Sequence, residues 1–251
     1  MEATFAGLSP WLFVVAPLVI VCAYVVFGLT GFGATIVSVP VLAHFLPVSY
    51  LVPLLVVLDL ASSAILGQRN RAHVSKAELK RVVPLMFVGF VAGVTVLVGV
   101  DDRYLRLALG LFAAAIGIHG MLNPTLTRTI SALWSVPTGL VGGVVSTIFG
   151  AGGPIYATYL SGRLHDKAEL RATVAVLIVV SAFSRVIIYA IAGLLLHLSI
   201  WVGVAMLAPF AWLGMTIGQR IHVGLSQPQM RRAVGAILVA SGISLLARTL
   251  L

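Results

Sequence analysis

Two charged residues, Asp59 and Arg185, each lie near the centre of a long apolar stretch. A charged side chain at the centre of a bilayer costs at least about 2.5–3.5 kcal/mol on insertion scales. We therefore expect both side chains to face the protein interior or a water-filled cavity. The guanidinium of Arg185 could bind an oxyanion through two hydrogen bonds. Asp59 could be its counter-ion or take up a proton, and the alternative is a purely structural ion pair between the two.

Glycine and proline interrupt two other apolar stretches, GLTGFGATIVSVPVL at 28–42 and FGAGGPIYATYL at 149–160. In a helix interior glycine costs about 1 kcal/mol and proline about 3 kcal/mol. The interruptions predict helices that start near Ala34 and Gly153, whose unpaired N–H groups attract an anion. The alternative is close helix packing through small residues. Together with Arg185, the predicted substrate-binding residues are Gly31, Gly33, Ala34, Thr35, Gly150, Gly152, Gly153 and Pro154.

The composition is that of a membrane protein. Of the 251 residues, 60% are hydrophobic and 9% are charged, and the mean hydropathy is +1.12. A soluble domain carries roughly 25% charged residues, whereas apolar runs of about 20 residues are what bilayer spans require. We predict an all-α, polytopic protein in contact with the lipid bilayer. The net charge of +9 comes from bases in short loops beside apolar runs, so we expect no nucleic-acid partner. The chain has one cysteine and no His/carboxylate spacing typical of a metal site, and no cofactor is expected.

The interruptions belong to a longer internal repeat. One constant offset relates Gly31 to Gly150, Gly33 to Gly152 and Thr35 to Pro154. A second, similar offset relates five further pairs. Such self-similarity indicates an internal duplication, and we place the two repeats at 1–125 and 126–251, beside a linker that begins at Asn123-Pro124. The five pairs are Pro84 with Pro209, Gly89 with Gly214, Gly93 with Gly218, Arg106 with Arg231, and Gly110 with Gly235.

The distribution of basic residues predicts how the repeats are oriented. If each interrupted segment is a re-entrant hairpin followed by three transmembrane helices, the repeats are inverted and both termini lie outside. The basic loops at 69–81, 122–130, 163–171 and 219–232 then all become cytoplasmic, as the positive-inside tendency requires. The arginines left on the external side are Arg103, Arg106 and Arg248. Residues 11–27 are also long enough for a full crossing, so that alternative stays open.

The glycine-rich interruptions and the repeated proline and glycine frame resemble the TauE/SafE family of sulfite exporters over nearly the whole chain. The first interruption differs from the usual run of glycines at Phe32, Ala34 and Thr35. The resemblance implies a permease of the bacterial inner membrane whose substrates are sulfite, sulfonates and related organosulfur anions.

The sequence and the resemblance together predict a secondary transporter, and not an enzyme, that exports a small sulfur oxyanion. Alternating access would come from rocking one repeat against the other around a midplane anion site. A channel-like anion pathway, an intramembrane enzyme and a non-transporting assembly subunit are the alternatives. The coupling ion, the direction of transport and the formation of a homo-oligomer stay open.

Overall fold

A computed structural model describes residues 11–30, 34–67, 73–122, 129–220 and 227–250. Within these ranges the chain forms ten α-helices and no β-strand. Short 3-10 turns at Ala132–Trp134 and Leu194–Leu196 precede α6 and α9. The helices are α1 (Leu12–Thr30), α2 (Thr35–Leu42), α3 (Val48–Gly67), α4 (Lys76–Gly99), α5 (Asp102–Leu122), α6 (Ser135–Phe149), α7 (Gly153–Ser161), α8 (Lys167–Ile191), α9 (Leu198–Arg220) and α10 (Gln227–Leu250).

Seven of the described helices are long and apolar enough to cross a membrane, namely α1, α4, α5, α6, α8, α9 and α10. A further apolar segment, Val48–Ser63, lies in α3. Large apolar side chains are exposed on the outer faces of these helices, among them Val88, Leu111 and Trp212. Such side chains can be exposed because lipid replaces water around them. The prediction of an all-α, polytopic membrane protein is confirmed.

The second interruption has a clear backbone cause. Helix α6 ends at Phe149 because Gly150 adopts φ +70°, a left-handed conformation that residues with a β-carbon rarely adopt. Helix α7 then begins at Gly153, with Pro154 in its first turn, where the missing N–H costs little. After α7 the chain returns to the region just before α6. There the N–H of Ile130 donates to the carbonyl of Gly162 over 2.9 Å.

The first interruption is narrower than the sequence suggested. We expected the break to start at Gly28, but α1 continues through that glycine to Thr30. A β-carbon at Gly28 would lie 2.8 Å from the carbonyl oxygen of Met215, so this glycine serves a helix contact. Helix α2 begins at Thr35. The predicted site residues Gly31 and Gly33 lie outside the described residues.

Two helices begin earlier than the apolar pattern indicated, because polar residues form their first turns. Helix α4 starts at Lys76, inside the segment predicted as a polar loop, and carries the buried Glu78 in its first turn. Helix α8 starts at Lys167, where the side chain of Asp166 accepts a hydrogen bond from the N–H of Ala168. This is an ordinary N-terminal cap.

Glycines fix which helices pack together and in which direction. A β-carbon on Gly214 would collide with the carbonyl of Val21, and one on Gly218 with that of Val25, so α1 and α9 run parallel. Close approach through small residues is the usual way in which membrane helices associate.

The same kind of contact recurs twice. Helices α4 and α6 run parallel, with Gly89 against Gly143 and Gly93 against Thr147. Helices α5 and α10 run antiparallel, with Gly110 against Gly242 and Gly117 against Gly235. The three contacts follow one pattern. If each helix of α1–α5 is exchanged with its counterpart in α6–α10, the α1–α9 pair becomes the α6–α4 pair, and the α5–α10 pair is unchanged.

Candidate functional site

A small polar cavity of about 20 Å³ lies where α3 and α8 meet the break between α6 and α7. A water molecule needs about 10–15 Å³ of such space, so the cavity accommodates one or two water-sized groups. It is lined by the carboxylate of Asp59, the guanidinium of Arg185, hydroxyl groups and the glycine backbone. The lining residues are Asp59, Ser63, Ser146, Gly150, Gly152, Gly153, Tyr156, Ile178, Ser181, Ala182 and Arg185.

Arg185 lies in α8 with only 4% of its surface exposed. Its Nη1 donates to the carbonyl of Ser146 over 2.9 Å, and its Nε donates to the carbonyl of Ser181 over 3.4 Å. Within the described ranges no carboxylate lies within ion-pair distance of the guanidinium. A guanidinium carries five N–H donors, so the two carbonyl contacts hold its position without using all of them.

Asp59 lies in α3 and is also 4% exposed. Its Oδ1 accepts from the hydroxyl of Tyr24 over 2.9 Å, and its Oδ2 accepts a short hydrogen bond from Thr35. Both donors are neutral. The carboxylate also faces the backbone N–H of Ala34 at the start of α2. The N-terminus of α2 therefore has a carboxylate of the protein itself as its partner.

The glycines at the second break come close to other parts of the protein. A β-carbon on Gly152 would collide with Oγ of Ser146, and one on Gly150 with the side chain of Thr35. At the same cavity, the hydroxyls of Ser146 and Tyr156 are hydrogen-bonded over 3.1 Å. Close packing within the protein therefore explains why Gly150 and Gly152 have no side chain. The two glycines also line the cavity.

One polar group at the cavity has no partner. The Oγ of Ser63 is buried, and in the described part of the chain it makes no hydrogen bond. A buried hydroxyl without a partner costs about 1–3 kcal/mol. Since Ser63 lines the cavity, a polar group that enters the cavity can satisfy this hydroxyl.

Sequence reasoning missed the buried tyrosines around the site. Tyr24 binds Asp59, Tyr156 binds Ser146, and the hydroxyl of Tyr189 donates to the carbonyl of Thr147 over 2.5 Å. Tyrosine in membrane helices is typical of the interfaces at their ends. A tyrosine well inside an apolar stretch was therefore the signal that could have identified these residues.

Comparison with known proteins identifies the family of the chain. The family described as "Sulfite exporter TauE/SafE" matches residues 16–245. The chain belongs to the TauE/SafE sulfite exporter family. It is 30% identical over 194 residues to the "Probable inner membrane transporter protein TsaS" of Comamonas testosteroni, an alignment that covers 76% of this chain and 81% of that protein. No solved structure matches the chain significantly.

Membership of the TauE/SafE family confirms the resemblance seen in the sequence. The protein is a multi-pass transporter of the bacterial inner membrane and not an enzyme. Family membership establishes the kind of activity. The cavity and its charged residues supply the chemistry on which a mechanism depends.

In this TauE/SafE protein a second polar cluster fixes the far end of α7. Glu78, only 3% exposed, accepts from the hydroxyl of Tyr159 over 2.6 Å and from Nη1 of Arg81 over 2.7 Å. Arg163, just beyond α7, adds hydrogen bonds from Nε and Nη2 over 3.1 and 3.0 Å. Through Glu78, α4 holds the short helix whose other end lines the cavity.

Proposed function

We propose that this protein exports a small sulfur oxyanion, such as sulfite or an organosulfonate, by alternating access around the cavity that contains Arg185. The observation that carries the proposal is a buried guanidinium that has no carboxylate partner among the described residues and lines a polar cavity beside a helix break. Asp59 lines the same cavity but lies beyond ion-pair distance of the guanidinium. An oxyanion in the cavity would be a direct ionic partner for this buried charge, which is strongly disfavoured without one.

The oxyanion would bind Arg185 and the hydroxyl groups that surround it. The unpaired Oγ of Ser63 and the hydroxyl of Tyr156 line the same cavity and can donate to oxyanion oxygens. The N-terminus of α7 at Gly153 adds backbone dipoles on the other side. A sulfur oxyanion is larger than the present cavity, so binding requires α7 or α8 to move outward. This requirement fits a site that opens in turn to each side of the membrane.

We infer that the two halves of the chain are inverted repeats, with the division near residue 125. Successive spans cross in opposite directions, so α4 runs opposite to α5 and α9 opposite to α10. Together with the parallel pairs α1–α9 and α4–α6 and the antiparallel pair α5–α10, this makes α1, α4 and α5 antiparallel to their counterparts α6, α9 and α10. Inverted repeats are a common basis for alternating access in secondary transporters.

Asp59 is the proposed coupling group. Its carboxylate shares the cavity with Arg185 and Tyr156, and Tyr24 contacts it from α1. An anion bound to Arg185 would be repelled by an ionised Asp59 a short distance away. Uptake of a proton by Asp59 would remove this repulsion, so we propose that a proton accompanies each anion.

Ligand-dependent stabilisation of the purified protein tests the site. A ligand that binds only the folded state stabilises it by RT ln(1 + [L]/Kd). Sulfite, sulfate, sulfoacetate, taurine and chloride are compared at fixed ionic strength. We expect saturable stabilisation by one sulfur oxyanion. In Arg185→Gln the Kd rises about ten- to 100-fold, because a hydrogen bond to a charged group is worth about 1.5–3 kcal/mol.

Two variants control this experiment. Arg171→Gln removes an exposed positive charge from the first turns of the same helix, and its ligand affinity should equal that of the wild type. Arg185→Lys keeps the charge and loses the planar donor geometry, so we expect an intermediate affinity. Wild-type affinity in a folded Arg185→Gln variant would contradict the assignment. Efflux of the same anion from proteoliposomes then tests transport and its direction.

A further inference from the structure

Three arginines surround a second cavity, which is separate from the central site. This surface cavity of about 300 Å³ lies between the first turn of α5 and the last turn of α10. It is lined by Asp102, Arg103, Arg106, Leu245, Arg248 and Thr249. Three guanidinium groups face one carboxylate, which leaves two excess positive charges around the cavity.

The single carboxylate is already engaged by other groups. Oδ1 of Asp102 accepts the backbone N–H of Val48 over 2.6 Å at the start of α3, and Oδ2 pairs with Nε of Arg106 over 2.6 Å. The side chains of Arg103 and Arg248 make no hydrogen bond or ion pair within the described ranges. Asp102 thus positions Arg106 and the start of α3, and it does not neutralise the other two arginines.

Helix ends explain only part of this arrangement. A cation such as Arg248 is favourable beside the C-terminal end of α10. Arg103, however, lies at the N-terminal end of α5, where the helix dipole disfavours a cation. Like charges gathered around one cavity repel each other unless an anion lies between them. The cluster therefore matches an anionic ligand better than it matches helix capping.

We propose that this cavity, which we name the arginine cavity, binds a tetrahedral oxyanion of the phosphate or sulfate type. Planar guanidinium groups form paired hydrogen bonds with such oxygens. The ligand is either the phosphate of an anionic lipid, since the cavity adjoins lipid-facing helices, or a free oxyanion from solution. The proposal does not depend on the transport mechanism, because no residue of the central site takes part.

The test uses the full-length protein in neutral detergent after removal of bound lipid. Short-chain phosphatidylglycerol, short-chain phosphatidylcholine, inorganic phosphate and sulfate are added separately at fixed ionic strength, and thermal stabilisation is measured. The test variant is Arg103→Gln/Arg248→Gln, which leaves the Asp102–Arg106 pair intact. The control variant, Lys80→Gln/Arg171→Gln, removes two exposed charges from helices α4 and α8.

Stabilisation by phosphatidylglycerol alone identifies a lipid site, and stabilisation by phosphate or sulfate identifies a site for free oxyanions. In either case we expect the Kd to rise at least tenfold in the test variant and to stay unchanged in the control. Repeating the sulfate titration in Arg185→Gln separates this cavity from the central one. The proposal is overturned if no probe exceeds phosphatidylcholine or chloride, or if both double variants lose affinity equally.

Discussion

Replacing Gly214 by alanine tests whether the α1–α9 contact positions the central site. The new β-carbon would collide with the carbonyl oxygen of Val21 and lie 3.0 Å from Cβ of Tyr24. To restore ordinary van der Waals separation of about 3.5–4.0 Å, the two helices must move apart by about 1 Å. Tyr24 also holds Asp59 through a 2.9 Å hydrogen bond, so we expect a displacement of α1 to disturb this contact.

The expected change in stability follows from two opposing terms. Overpacking costs about 1–3 kcal/mol, while alanine is favoured over glycine in a helix by about 0.8–1.0 kcal/mol. The matched control is Gly99→Ala in α4, where a β-carbon would meet nothing within 4 Å. The control keeps any gain in helix propensity without the collision. The free energies of unfolding of the two variants should therefore differ by about 1–3 kcal/mol.

Thermal unfolding of the purified variants measures this difference, and anion-dependent stabilisation measures the consequence for the site. Gly214→Ala should unfold at a lower temperature than Gly99→Ala and should bind the anion with an affinity different from that of the wild type. Equal unfolding temperatures for the two glycine variants would refute the packing argument. A destabilised Gly214→Ala with wild-type anion affinity would refute the link from packing to the site.

Three further predictions concern single contacts. Asp59→Asn should bind the anion equally well at all pH values, whereas wild-type affinity should fall as the pH rises; the same pH dependence in both proteins would exclude Asp59 as the coupling group. Glu78→Gln should destabilise the protein by about 1–3 kcal/mol, because it weakens hydrogen bonds to a buried carboxylate whose arginine partners are partly exposed, and a thermal double-mutant cycle with Arg163→Gln should show coupling between the two. Tyr189→Phe should lower stability by about 1–3 kcal/mol by leaving the carbonyl of Thr147 unsatisfied, and unfolding at the wild-type temperature would contradict this.

Strong local signals made the helical membrane fold predictable from the sequence. Long apolar runs are typical of spans, and the positive φ of Gly150 with the proline in the next turn ends one helix and starts another. The helix starts at Val48 and Lys167 are related by the same offset as Gly31 and Gly150. Glycine alone was a weaker signal, since Gly28 lies inside α1 and serves a helix contact.

The contacts of the site were less predictable, because they depend on which helices meet. Tyr24 of α1 reaches Asp59 of α3 across a helix contact, and no periodicity within α1 indicates that arrangement. The role of Glu78 was not predictable from the sequence for a similar reason. Its segment was interpreted as a polar loop, whereas Tyr159 and Arg163 from a distant part of the chain bury it.

Under the proposed duplication, the cavity is an asymmetric site between corresponding helices. The offset that relates the two helix breaks also relates Asp59 to Ile178 and Ser63 to Ala182, and all four residues line the cavity. Corresponding positions of α3 and α8 therefore meet there, and they differ in chemistry, with an acid and a hydroxyl on α3 and apolar side chains at the matching positions of α8. Had both halves kept the acid, two carboxylates would share one buried cavity and repel each other, and an anion would be excluded. In the proposed mechanism, an aspartate in one half and Arg185 in the other instead allow a single anion to be held, with a proton carried beside it.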